Sequence, residues 1–222
     1  MNVHIIRDPD VSEELYQEVF GHLNESRGPL SFIVHENIIL ANSSVIKREN
    51  YPPEDLLERC AEFRNKYDIG NDEFVILLTE KANTLNWFSF GDKDKNIFIH
   101  TSEWDFYLDC NRSFPIAYQV VSNILQVLLF NDIDDLNNHI HIDESRGCVN
   151  DFCENKKDIR LKMKTADVCF DCQSLIIERA FPTPIFEQIT NVFEELRKKL
   201  ISVERFTARL GPGKVLFRGL LR

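Results

Sequence analysis

The chain has 222 residues, 43% of them hydrophobic and 28% charged, with a formal net charge of -10. That length buries a core without help from metal or disulfide, and the acidic balance excludes a general grip on nucleic acid, which needs clustered Lys and Arg to displace counterions. No apolar run approaches the ~18 residues of a membrane helix, and MNVHIIRDPDVSEEL turns acidic too soon for a cleavable signal, so a soluble cytoplasmic protein is expected.

The first ninety residues alternate between strand and helix signals. NVHII reads as a strand, SEELYQEVFGHL as an amphipathic helix, and LSFIVH and IIL as strands about a turn at His35-Glu36-Asn37. Pro52 and Pro53 open a second helix, EDLLERCAEFRNKY, with Leu56, Leu57, Cys60 and Phe63 on one face, closed by Gly70 and Asn71. FVILLT, WFSF and NIFIH follow as three short strands, the last two separated by the turn chemistry of Gly91-Asp92-Lys93.

PIAYQVVSNILQVLLF, from Pro115 to Phe130, is the most apolar helix and belongs at the centre of the fold. After it come the polar NDIDDLNNHIHIDESRGC, a cysteine segment, and two closing helices, about Asp171 to Arg179 and Pro184 to Arg205. The pattern predicts an α/β (α+β) chain with a mixed sheet, packed helices, a cysteine-rich lobe at about 139–180 and C-terminal helices. Residues 1–180 form the main domain, and 181–222 a helix and a basic tail with Arg205, Arg209, Lys214, Arg218 and Arg222.

Six cysteines in a reducing compartment are not a disulfide framework. Cys60 and Cys110 stand apart and read as small core residues. The other four run Cys148-x4-Cys153-x15-Cys169-x2-Cys172, two knuckles across a loop, the arrangement that brings four thiolates to the corners of a tetrahedron around structural Zn2+. Arg146, Lys156 and Lys164 are candidates to offset the thiolate charge. The alternative, a redox pair at Cys169 and Cys172, would open a helix after a strand. Such a closed zinc site supplies stability and offers no position for substrate or activated water.

LLTEKANTLNWFSFGDKDKNIFIHTSEW, PIAYQVVSNILQVLLF, then GCVN and CFDC, together resemble the archaemetzincin family of zincin metallopeptidases over about Phe74 to Cys172. The resemblance implies a zincin-like sheet, a catalytic helix bearing HExxHxxGxxHC, and a cysteine zinc site after it. The positions matching that helix motif are Ser122, Asn123, Gln126 and Leu129. None of these replaces an imidazole ligand or a carboxylate base, so the resemblance implies a degenerate site. The family's CxM and CxxC match Cys148-Val149-Asn150 and Cys169-Phe170-Asp171-Cys172, with Asn150 in place of Met. Its remaining cysteine has no counterpart, which leaves Cys153, His141 or Asp143 as fourth ligand; softness favours Cys153.

A second metal centre is the competing reading. On a strand, His139, His141 and Asp143 point to one side, and with Glu144 the run resembles the HxHxDH of metallo-β-lactamase-like hydrolases; no histidine follows Asp143 to complete such a centre. His100 is a candidate strand-end residue lining a groove framed by Glu103 and Trp104; an N-cap at Thr101 or Ser102 explains the same letters and is preferred. The expectation is a non-catalytic, peptidase-like module with structural Zn2+ at Cys148, Cys153, Cys169 and Cys172, acting through a protein partner. The alternatives are a hydrolase using His139, His141 and Asp143, or an adaptor whose basic tail meets nucleic acid or an acidic partner.

Overall fold

The computed structural model describes residues 1–39, 48–142, 145–154 and 156–210, leaving aside the side chains of 36–39 and 205–210. The basic tail beyond 210, and Asp143 with Glu144, lie outside the described residues. The strands are β1 (Asn2–Arg7), β2 (Ser31–Ile39), β3 (Phe74–Thr79), β4 (Ser89–Gly91) and β5 (Asn96–His100). The helices are α1 (Glu13–Asn24), α2 (Pro53–Lys66), α3 (Ser113–Leu129), α4 (Ile133–His139), α5 (Ile159–Thr165), α6 (Phe170–Glu178) and α7 (Thr183–Leu210).

The five strands form one sheet in the order β2-β1-β3-β5-β4, parallel throughout except for the antiparallel edge strand β4. β3 and β5 are buried along their whole length, as strands covered on both faces must be. Their alternation divides the core: Phe74, Ile76 and Leu78 face α1, α3 and α7, whereas Val75 and Leu77 face Leu56, Cys60 and Phe63 of α2. Burial pushes the Cys60 thiol up to about 12, as befits a core residue.

The turn expected at His35-Glu36-Asn37 is a continuation of β2. Ile5 pairs with Val34 and Arg7 with Ile39, so the extra residues are taken up as a bulge against β1. α1 begins as its letters dictate, with the Ser12 hydroxyl accepting the Leu15 N–H at 3.3 Å and Glu13 and Glu14 in the first turn. α2 stops at Lys66, ahead of Gly70, where Asp68 takes a left-handed conformation. The α7 residues Ile185, Ile189, Phe193 and Leu200 enter the same core as α3, and the rings of Tyr118 and Phe193 lie 4.7 Å apart. Among the described residues no single helix is long and apolar enough to cross a membrane.

Candidate metal centre and cleft

α3 is buried over most of its length; Phe114 at its start and Gln126 to Leu128 near its end are partly open. The chain leaves α3 at Phe130, turns through α4 and returns as a short parallel bridge in which His141 pairs with Asp151. The His141 N–H donates to the Asn150 carbonyl at 3.0 Å and the Phe152 N–H to the His141 carbonyl at 2.8 Å, which carries the imidazole onto the first cysteine knuckle.

That knuckle is folded around a carboxylate. Asp151 Oδ2 accepts the backbone N–H groups of Arg146 and Gly147 at 2.7 Å and of Cys148 at 3.1 Å. Gly147 has φ +86, and a Cβ there would stand 2.5 Å from the Thr165 hydroxyl, so the turn requires glycine. A second bridge, Cys148 to Asp167, brings up the CFDC segment, which opens α6 with Cys169 at the N-cap and Cys172 in the first turn.

Four ligand atoms converge there, from His141, Cys148, Cys169 and Cys172, all within 4.8 Å of one another. Cys148 Sγ and Cys172 Sγ are 3.6 Å apart, and His141 Nε2 lies 3.3 Å from Cys169 Sγ and 3.4 Å from Cys172 Sγ. Sulfur atoms on a tetrahedron of ~2.3 Å zinc–sulfur bonds stand about 3.8 Å apart, so the Cys148–Cys172 edge has the right size. The surroundings favour thiolate at one sulfur: the Cys148 thiol falls to about 5, first through its hydrogen bond with Cys172 and then through the N–H groups of Asn150 and Cys169, while burial raises the Cys169 thiol. The same shared proton raises Cys172. This Cys3His donor set fits Zn2+, with all four corners supplied by protein.

His141, and not Cys153, completes the set. Cys153 lies outside the group of converging atoms; it is half-buried, lines the neighbouring cleft, and its thiol is raised by burial. The reason is the bridge to Asp151, which places an imidazole where the spacing of cysteines alone suggested a fourth sulfur. His139 does not join His141 on a strand: it ends α4, with Nδ1 2.8 Å from the Asp135 carbonyl oxygen and 3.3 Å from the Asp135 carboxylate. The Cys169–Cys172 pair does open a helix, but an isolated bridge precedes it in place of the strand of a redox motif.

Of the expected cations Arg146 stays at the knuckles, whereas Lys156 and Lys164 have partners outside them. Lys156 bonds Asn86 Oδ1 at 2.6 Å, Lys164 pairs with Glu204 at 2.8 Å, and Arg146 reaches Asp171 at 3.7 Å. Beside the first knuckle the buried cation is Lys162, which donates to the Asp151 carbonyl at 2.8 Å, and which burial pushes down while Cys153, Asp151 and Cys148 pull it up. Its spacing of three from Ile159 and its neighbour Met163 mark that buried face of α5; this was the signal available in the sequence. Thr101 does not cap a helix: its hydroxyl donates to the Thr79 carbonyl at 3.2 Å and ties β5 to β3. His100 is buried at that strand end and lowered mainly by desolvation.

Beside the metal centre, a cleft of about 780 Å³ opens over the C-terminal half of α3. β4 and the loop before it form one wall, α4 and Ile142 the other, and Phe152 and Lys156 one end. Gln119, Ser122, Asn123 and Gln126 form the floor. Asn123 Nδ2 donates to Ser89 Oγ at 2.7 Å and to the Gln119 carbonyl at 2.8 Å, and Ser89 Oγ donates to Gln119 Oε1 at 2.9 Å. Asp132, at the mouth of the cleft, caps α4 by accepting the Asp135 N–H at 2.8 Å.

No protein-family profile and no curated protein sequence matches the chain. Solved structures do. The archaemetzincin of Methanopyrus kandleri is 16% identical over 81% of this chain and 95% of its own, with a TM-score of 0.51. A zinc-dependent peptidase from Methanocorpusculum labreanum is 15% identical over 78% of this chain and 99% of its own, with a TM-score of 0.47. With its mixed sheet, buried α3 and following Cys3His cluster, the chain has an archaemetzincin-like fold.

Proposed function

We propose that this protein is a non-catalytic, metallopeptidase-like binding module of the cytoplasm, in which the Cys3His centre holds a structural Zn2+ and the cleft over α3 receives an extended segment of a partner protein. The observation that carries the reading is the floor of that cleft. By the family resemblance, Ser122, Asn123 and Gln126 match the positions of a zincin's two histidines and glutamate, and amides and hydroxyls bind zinc weakly and cannot serve as a general base. Asn123 is moreover engaged with Ser89 and Gln119.

The walls support a binding role. Leu85, Ile133, Ile142 and Phe152, each at least 40% exposed, all line this cleft, and exposed apolar side chains gathered in one place mark a binding surface. β4 is an edge strand. The His100 N–H bonds the Phe88 carbonyl and the Asp92 N–H the Asn96 carbonyl, so by antiparallel alternation the backbone groups of Ser89 and Gly91 are directed away from β5, toward the cleft they line. Such an edge accepts an extended chain as an added strand, with apolar pockets for alternate side chains.

The test is to incubate the zinc-loaded protein with a displayed library of random peptides and, separately, with unfolded casein. Expected are one zinc per chain, retained peptides, intact casein by mass spectrometry, and loss of retention in Phe152→Arg or Ile142→Arg. Zinc-dependent cleavage that disappears in Asn123→Ala or Gln126→Ala overturns the reading, and two zinc ions per chain point to a second, catalytic centre.

A further inference from the structure

Asn150 is 1% exposed and stands between the metal centre and the cleft. Its Nδ2 donates to Cys172 Sγ at 3.3 Å, and its Oδ1 accepts from Gln126 Nε2 at 3.3 Å. Gln126 is half-buried on the cleft floor, at one of the positions that match the catalytic-helix motif.

The two bonds fix each other. A side-chain amide has one donor end and one acceptor end. With Asn150 turned over, its oxygen would face the sulfur and its nitrogen the Gln126 nitrogen, and both bonds would be lost. The Gln126 N–H therefore selects the orientation in which Asn150 donates to the thiolate. Methionine, which the resemblance places here, has no N–H to give. Partners that hold a metal's ligands in place change its affinity although they never touch it.

We propose that Asn150 is a relay between cleft and metal: it orients and stabilises the Cys172 thiolate for Zn2+, and Gln126 is the positioning residue that holds Asn150 in its donating orientation. The relay rests on the metal-binding part of the reading above and not on what occupies the cleft. By reciprocity of binding free energies, an occupant that takes the Gln126 amide for itself weakens metal binding, and a loaded metal centre fixes Gln126.

The experiment is a competition for Zn2+ between the full chain and a chromophoric chelator. The wild-type chain is expected to hold one zinc, and Asn150→Ala to hold it about 10–100-fold more weakly. Gln126→Ala weakens it several-fold in the same direction. Gln126→Glu weakens it more than Gln126→Ala does, because a carboxylate has no N–H and draws Asn150 Nδ2 off the sulfur. The double variant Asn150→Ala/Gln126→Ala is no weaker than Asn150→Ala alone, as for two residues acting in series. Unchanged affinity in both Gln126 variants overturns the relay, even where Asn150→Ala fails to fold, and so do additive losses in the double variant. A wild-type chain that binds no zinc overturns the metal centre and the relay together, whereas a relay that fails alone leaves one zinc per wild-type chain.

Discussion

The imidazole Nε2 of His141 stands 3.3 Å from the Cys169 sulfur, although 27 residues separate them, because the bridge to Asp151 delivers the ring to the cysteine knuckles. His141→Ala therefore removes a corner of the metal site and is expected to weaken zinc binding by roughly 100-fold or more, beyond the 10–100-fold effect of an outer partner. Cys153→Ser is expected to keep one zinc per chain with unchanged affinity. Metal analysis after dialysis against a weak chelator separates the two variants, and loss of metal from Cys153→Ser would transfer the fourth position to that thiol.

Because ligand convergence and folding are the same event in this lobe, stripping the metal is expected to lower stability by several kcal/mol. The Asp151 carboxylate has a comparable role without touching the metal. It accepts three backbone N–H groups of the knuckle, and in Asp151→Ala these are left buried and unpaired, at a cost of about 3 kcal/mol or more. Thermal unfolding of the metal-loaded chain should fall by roughly 6–12 °C. A melting temperature within a degree of wild type would show that water or a rearranged loop replaces the carboxylate.

Much of the fold is written in local periodicity. α3 and α2 lie within two residues of where their apolar stripes and prolines put them, β3 and β5 coincide with FVILLT and NIFIH, and β1 runs one residue past NVHII. Three of the four residues that converge at the candidate metal centre are legible from spacing as well. The fourth is not, since His141 reaches the site through a pairing with Asp151 that no periodic pattern announces. The HIHID run alternates like a strand, yet His139 belongs to a helix capped by Asp132, whose carboxylate competes locally for the backbone. The cleft is illegible for a related reason: its floor comes from one face of α3, but its walls are assembled from β4, α4 and the lobe after the metal knuckle.

The close approach of β4 to α3 gives a third prediction. A Cβ on Gly91 would stand 2.7 Å from Val127 Cγ2 and 3.0 Å from Ile97 Cγ1, and both neighbours are stiff, β-branched side chains. Gly91→Ala is expected to cost about 1–3 kcal/mol as an overpacked contact, and the pair Gly91→Ala/Val127→Ala to recover most of it. Denaturant unfolding of the two variants checks this. Failure of the second substitution to rescue the first would place the conflict at Ile97, within the sheet, and not at the helix.

The wall of the cleft opposite β4 depends on an ion pair. α4 has no fully buried residue of its own, and Arg179, just after α6, holds it with bonds to both Asp135 oxygens, the longer at 2.7 Å, and a third to the Leu129 carbonyl at 2.8 Å. Arg179 first, and then the Asn131 N–H, hold the Asp135 carboxyl well below the usual carboxylate range. A folded-state value below the unfolded ~3.9 contributes stability that is fully present above that pH and is lost as pH falls through the folded value. The clamp therefore operates at neutral pH and weakens only from about pH 4 downward. Arg179→Ala removes it at any pH: amide exchange in 133–139 is expected to rise at least tenfold, and peptide retention in the cleft to fall with it, while the zinc content stays at one. Faster exchange with undiminished retention would show that α4 is not part of the binding wall.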